Sequence, residues 1–157
     1  MFGKIDKLDL MILDIISKDA RIPLSEVAER CGVSRAVVHQ RVGKLTEKKA
    51  IMGSGYHVNP QMIGYSTCTY VGINLEKGSM YNDVVECLRE IPEVVECHFT
   101  TGNYTMLIKL YAYDNAHLMD LLNNKIQQIH GVTSTETLIS LNQSIMRQLP
   151  IIFPKEE

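Results

Sequence analysis

Apolar positions in the first third of the chain recur every three or four residues, the period of helices with one buried side. Leu8, Met11, Ile12, Ile15 and Ile16 form one such stripe. Asp6 and Asp9 stand at its start, where a helix favours a side-chain cap and a first-turn acid. A short second helix is predicted from Leu24 to Cys31, after Pro23, with Leu24, Val27 and Ala28 inward. Gly32 ends it, because glycine adopts the left-handed closing conformation without steric cost. Ser34 then caps a third helix running to about Lys48, with Val38, Val42 and Leu45 on its buried side. Three helices, the last two joined only by Cys31-Gly32-Val33-Ser34, make a helix-turn-helix.

Beyond Ile51 the period changes. Glycine and proline punctuate GSGYHVNPQMIGY, which predicts one strand at about Gly55–Asn59 and then a linker. From Thr67 the alternation is by two, with Val71, Ile73 and Leu75 opposite Tyr70, Gly72 and Asn74. A helix from about Ser79 to Arg89 is ended by Pro92. Strands follow at Val94–Thr100 and Met106–Tyr113, joined by Thr101-Gly102-Asn103-Tyr104. Asn115 is placed to cap a helix with the stripe Leu118, Leu121, Leu122, Ile126 and Ile129, and Val132–Leu141 reads as a final strand. The order strand-helix-strand-strand-helix-strand is the ferredoxin-like unit. The expected class is therefore α+β: a three-helix helix-turn-helix domain at 1–52, a strand and linker at 53–66, a ferredoxin-like βαββαβ domain at 67–142 and a tail at 143–157.

In such a unit both helices cover one sheet face, here predicted to bury Val71, Ile73, Val95, Cys97, Phe99, Ile108 and Leu110. The opposite face carries Tyr70, His98, Leu107, Tyr111 and Tyr113, too apolar and aromatic to sit in water comfortably. A second copy related by two-fold symmetry is the economical cover. The alternative is that the apolar tail, Ile145 to Phe153, folds back over it.

Composition narrows the class. With 45% apolar and 22% charged residues the chain reads as a soluble globular protein, and no run approaches the roughly 18 apolar residues of a membrane span. The charged N-terminus does not resemble a signal peptide, so a cytoplasmic, nucleoid-associated protein is expected. Cys31, Cys68, Cys87 and Cys97 are scattered without metal or disulfide spacing. The five histidines are dispersed, and no phosphate loop, zinc-protease or nucleophile-elbow motif occurs. No enzyme, metal or cofactor is expected. The net charge of -2 divides unevenly: residues 1–60 hold ten Lys/Arg and seven Asp/Glu, and residues 61–157 hold six and eleven. The resulting +3 and -5 have the signs of a DNA-facing first part and a protein-facing second part.

With Val38, Val42 and Leu45 inward, the third helix turns Arg35, Ala36, His39, Gln40 and Lys44 outward. Arg35, near the helix start, can pair bidentately with guanine, and Gln40 with adenine. Ser34, Arg41, Lys44, Lys48 and Lys49 are better placed for phosphates. Gly43 is out of place in mid-helix, unless another backbone or DNA approaches it closely. Double-stranded DNA is the expected partner.

The segment DARIPLSEVAERCGVSRAVVHQRVGKLTEKKAI, with NPQMIGY after it and PEVVECHFTTGNYTMLIKL downstream, resembles the feast/famine or Lrp/AsnC regulators over about residues 5 to 150. The resemblance implies a winged helix-turn-helix, dimers that assemble further into octamers, and an amino-acid effector bound between subunits near Thr101, Gly102, Asn103, Tyr104 and Thr105. Thr133 and Thr135 are further polar candidates. The family pattern at this turn is G-D-Y-D, whereas this chain has Asn103 and Thr105 in place of the acids. A carboxylate serves an effector's ammonium, and its loss removes roughly 1.5–3 kcal/mol. The turn therefore reads either as a site for a differently held ligand or as structure alone. Two alternatives to a regulator are a tetrapyrrole (sirohaem-type) decarboxylase of the same architecture and an effector-binding module without DNA binding.

Overall fold

The computed structural model describes residues 5–153; the first and last few residues of the predicted end segments lie outside that range. The chain divides into two compact units, one running to His57 and taking in the tail from Ile145, the other spanning Val58–Ser144.

The first unit is built on α1 (Lys7–Lys18), α2 (Leu24–Cys31) and α3 (Arg35–Glu47). Asp6 caps α1: its carboxylate accepts from the Asp9 N–H, and the Asp9 carboxylate accepts from the Asp6 N–H, two otherwise orphaned donors satisfied reciprocally. Gly32 closes α2 at φ 67°, and Ser34 Oγ accepts from the Val37 N–H to open α3 two residues later. Ile12, Val27, Ala28 and Val38 form the core, with Leu8, Ile15, Ile16, Leu24, Cys31 and Val42 packed around it. Burial pushes the Cys31 thiol up, as expected of a small core residue. The strand predicted at Gly55–Asn59 does not form. Glycines at 53 and 55 and the lack of a partner strand among the described residues leave that stretch without a ladder, and the following Pro60–Ile63 is a single 3₁₀ turn capped by Asn59.

The second unit is a four-stranded antiparallel sheet of β1 (Thr67–Leu75), β2 (Val94–Phe99), β3 (Met106–Ala112) and β4 (Val132–Ser140), in the order β2-β3-β1-β4. With α4 (Tyr81–Arg89) and α5 (Asn115–Asp120) it has the predicted ferredoxin-like order. α5 continues into a π-helical turn, Leu121–Ile126. Its cap is Asp114, not Asn115, because the Asp114 carboxylate accepts from the His117 N–H at 2.8 Å. Val71, Ile73, Met106, Ile108, Leu110 and Ala112 bury against Val84, Leu88, Leu118, Leu121 and Ile126.

Two residues assigned to that core are not in it. Val95 is 53% exposed because it is the extra residue of a β-bulge between Val94 and Glu96, so Val94 packs inward in its place. Phe99 lies on the helix side but at the sheet edge, 60% exposed, with the Tyr81 ring against it at 4.7 Å. The open face carries Tyr70, Leu107, Tyr111 and His98 as predicted, and also Lys109 and Glu96. Tyr113 lies beyond β3 and stacks between Tyr65 (4.4 Å) and His117 (4.8 Å). After Ser140 the described tail has no helix or strand, and from Ile145 it groups with the first unit.

Candidate functional site

The outward side of α3 is what the sequence predicts. Ser34, Arg35, Ala36, His39, Gln40 and Lys44 are all exposed on a helix whose opposite side is held by Val38 and Leu45. Gly43 lies on the same outward side, and a Cβ built there meets nothing within 4 Å among the described residues. Nothing in the packing of the described residues demands glycine at that position.

Arg41 is different. Its guanidinium pairs with both carboxylates of the α1 capping box, Asp6 and Asp9, the latter at 3.1 Å. The Asp9 N–H and Arg41 together hold the Asp6 carboxyl below the usual carboxylate range, and the two acids in turn push the Arg41 pKa up. Arg41 thus ties α3 to the start of α1. Sequence spacing gave no sign of this, since its partners lie 35 and 32 residues upstream.

The second candidate site is at one end of the sheet. Ile73 pairs with Met106 on one side and Thr135 on the other, so the β2–β3 turn and the start of β4 flank the end of β1. Thr101, Gly102 (φ 110°) and Asn103 form the exposed tip of the turn. The hydroxyls around it are occupied by the scaffold. Thr100 donates to the Tyr104 carbonyl at 2.8 Å, and Thr133 to the Asn74 carbonyl at 3.1 Å. Thr105 Oγ1 accepts from the Leu75 N–H at 3.3 Å, and Thr135 Oγ1 accepts from Gln127 Nε2 at 2.9 Å. Beside Thr133 and Thr135 runs a shallow groove of about 350 Å³, lined also by Gln127, Gln128, Val132 and Ser134. No charged side chain lines it.

Tyr104 does not project into solvent. Its ring lies over Gly72, so close that a Cβ there would meet ring carbons at 2.5–2.7 Å. Its hydroxyl donates to Glu136, which sits directly across from Gly72 on β4; that bond, with burial and the carboxylate charge, raises the tyrosine pKa. Glu136 was not among the predicted site residues. The only hint was its position in a threonine-rich alternating strand, which says nothing of a partner 32 residues upstream. Among the described residues no helix is long and apolar enough to cross a membrane, and no cluster of His, Cys, Asp and Glu is suited to a metal.

Comparison with known proteins matches both parts of the chain to known domains. Residues 5–51 match a winged helix-turn-helix DNA-binding model, and residues 68–150 match the Lrp/AsnC ligand binding domain. The regulatory protein AsnC of Haemophilus influenzae is 39% identical over 145 residues, 92% of this chain and 97% of that one. The transcriptional regulator LrpA of Pyrococcus horikoshii is 37% identical over 88% of this chain and 98% of its own length. Among solved structures, Escherichia coli AsnC superposes with a TM-score of 0.85 at 37% identity, covering 93% of this chain and 98% of that one. A feast or famine regulatory protein from Mycobacterium tuberculosis, complexed with L-methionine, does so at 0.87 with 27% identity, covering 95% and 100%. These relatives are named as regulators, not as decarboxylases. The chain belongs to the Lrp/AsnC family and is a transcriptional regulator with a helix-turn-helix that binds DNA and a ligand-binding domain behind it.

Proposed function

We propose that α3 reads the major groove, with Arg35 and Gln40 at base edges, His39 and Ala36 beside them, and Ser34 and Lys44 on phosphates. The observation that carries this is the exposed Arg35/His39/Gln40/Lys44 side of a helix capped at Ser34 and buried on its other side. Arg41 acts one step back, by fixing α3 against α1 rather than by touching phosphate.

The end of the sheet formed by Thr101, Gly102, Asn103, Tyr104, Thr105, Thr133 and Thr135 is proposed as the effector-responsive part. The M. tuberculosis protein holds L-methionine, and a small amino acid or related molecule is the corresponding effector class here. The chain acts by binding rather than by catalysis, as a homodimer assembling further to an octamer, in the cytoplasm on the nucleoid. The sheet face opposite the helices, with Tyr70, Leu107 and the exposed Leu138 in it, supports assembly.

The test is selection of genomic DNA fragments by the purified protein at low salt, repeated with each amino acid added. An operator whose occupancy changes with one amino acid is the expected result. Failure to retain any DNA in a salt-dependent manner would overturn the α3 assignment. An unchanged absorption spectrum on adding sirohaem is expected; a bound and turned-over tetrapyrrole would overturn the non-catalytic reading.

A further inference from the structure

The open face of the sheet has a charged centre. Register sets Glu96, Lys109, Tyr70 and Leu138 in one row across β2, β3, β1 and β4. Lys109 is only 9% exposed although it lies on the sheet face opposite the helices. Its Nζ lies 3.2 Å from Glu96 Oε1, with the rings of Tyr70 and Tyr111 at 5.8 and 5.7 Å. A lysine is rarely so buried unless its charge is paired. Burial pulls its pKa down, but the Glu96 hydrogen bond and charge, with the two tyrosines, leave it raised. Glu96 itself stays half exposed, and its second oxygen has His98 Nε2 at 3.6 Å.

We infer that the Glu96–Lys109 pair is the partner-selecting element of this face, admitting a second copy of this chain and rejecting surfaces that separate the two charges or oppose them with a like charge. The inference rests on the homodimer reading above. A two-fold interface sets each patch against itself, so a face holding a cation beside an anion is complementary to its own copy. Covering the face removes water from Glu96. A pair that enters intact is tolerated there, whereas a broken one leaves a buried charge with no partner. Acids at 96 and 136 share this face with Lys109, which disfavours a polyanion or an anionic membrane as the cover. Selection of this kind works by penalising the wrong partner more than by strengthening the right one.

Sedimentation of the full chain tests it, using wild type, E96Q, E96K, K109E, the E96K/K109E double variant, and an equimolar mixture of the two reversal variants. Wild type should be dimeric or larger at micromolar concentration. E96Q, which keeps shape and removes charge, should weaken assembly at least tenfold, and each reversal by about 100-fold or more. The double variant should return to within about tenfold of wild type. The mixture should assemble as mixed dimers, because one copy then brings two cations and the other two anions. A monomeric wild type overturns the homodimer reading itself. A dimeric wild type with E96Q and both reversals assembling at wild-type strength overturns the selection role alone. So do weakened reversals that the mixture fails to repair, since the pair then acts only within its own chain.

Discussion

Gly43 offers a substitution whose effects on folding and on DNA binding are expected to have opposite signs. It lies inside α3, on the side that turns Ala36, Gln40 and Lys44 outward. Its backbone is not in the left-handed region, and a Cβ there has open space among the described residues. Alanine in mid-helix is favoured over glycine by ~1 kcal/mol, through a smaller loss of backbone entropy on folding. Gly43→Ala should therefore stabilise the N-terminal unit by about 1 kcal/mol. That corresponds to roughly 4–8 °C in Tm for a domain of 60–100 residues.

The same methyl group would project from the face proposed to meet DNA. Where a glycine is kept so that another backbone can approach, an added methyl acts as overpacking and costs roughly 1–3 kcal/mol. In Kd this is about five- to over a hundredfold. Thermal unfolding followed by circular dichroism reads the first effect, and fluorescence anisotropy with a selected operator at fixed salt reads the second. The expected outcome is a higher Tm together with weaker binding. A Tm that stays or falls refutes the propensity argument. A raised Tm with unchanged affinity refutes close approach of DNA at this position.

Three further outcomes follow from named contacts. Arg41→Ala should lower the Tm of the N-terminal unit and leave the slope of log Kd against log salt unchanged, whereas Lys44→Ala should flatten that slope by ~0.9; the reverse pattern would make Arg41 the phosphate contact. Because the folded Asp6 pKa is depressed, its stabilising effect is present above its ordinary value of 3.8 and is lost as pH falls through the depressed value. The stability difference between wild type and Asp6→Ala in denaturant titrations should thus shrink below about pH 4, and a difference constant from pH 6 to pH 3 would show that the Asp6 charge plays no part. Gly72→Ala should destabilise the second unit by roughly 1–3 kcal/mol, because the Tyr104 ring has to leave its place; adding Tyr104→Ser should recover most of the loss, and a single variant as stable as wild type would mean the ring moves freely.

Legibility in the sequence followed the range over which each signal acts. The three N-terminal helices were readable nearly to the residue, since their caps, Asp6, Ser34 and Gly32, lie within three residues of what they satisfy. Strand ends were readable to within one residue at β2, β3 and β4 because alternation and glycine are also local. The bulge at Val95 was not, because one extra residue reverses the inward and outward assignment and leaves the apolar pattern almost unaltered. Nor was the role of Arg41, or of Lys109 at the centre of the open face. Both look like ordinary surface cations until the fold brings Asp6, Asp9 and Glu96 beside them.

The departure from the family's acidic turn acquires a physical meaning from the same kind of contact. The β1–β4 register shifts between Asn74 and Leu75, and the Leu75 N–H turns to Thr105 Oγ1 instead. A hydroxyl is a sufficient acceptor for that N–H, so the turn keeps its shape without an acid at 105. An aspartate there would accept the same bond and retain a second, charged oxygen for a ligand. What this chain gives up is therefore charge, not architecture. The Glu136 carboxylate lies on the neighbouring strand and accepts a hydrogen bond from the Tyr104 hydroxyl. An ammonium group approaching from this side would share Glu136 with Tyr104, since a carboxylate has two accepting oxygens. A ligand in the Gln127/Thr133/Thr135 groove meets only neutral donors and acceptors. An effector held in that groove is thus selected by hydrogen bonds to neutral side chains, and its affinity should depend little on salt.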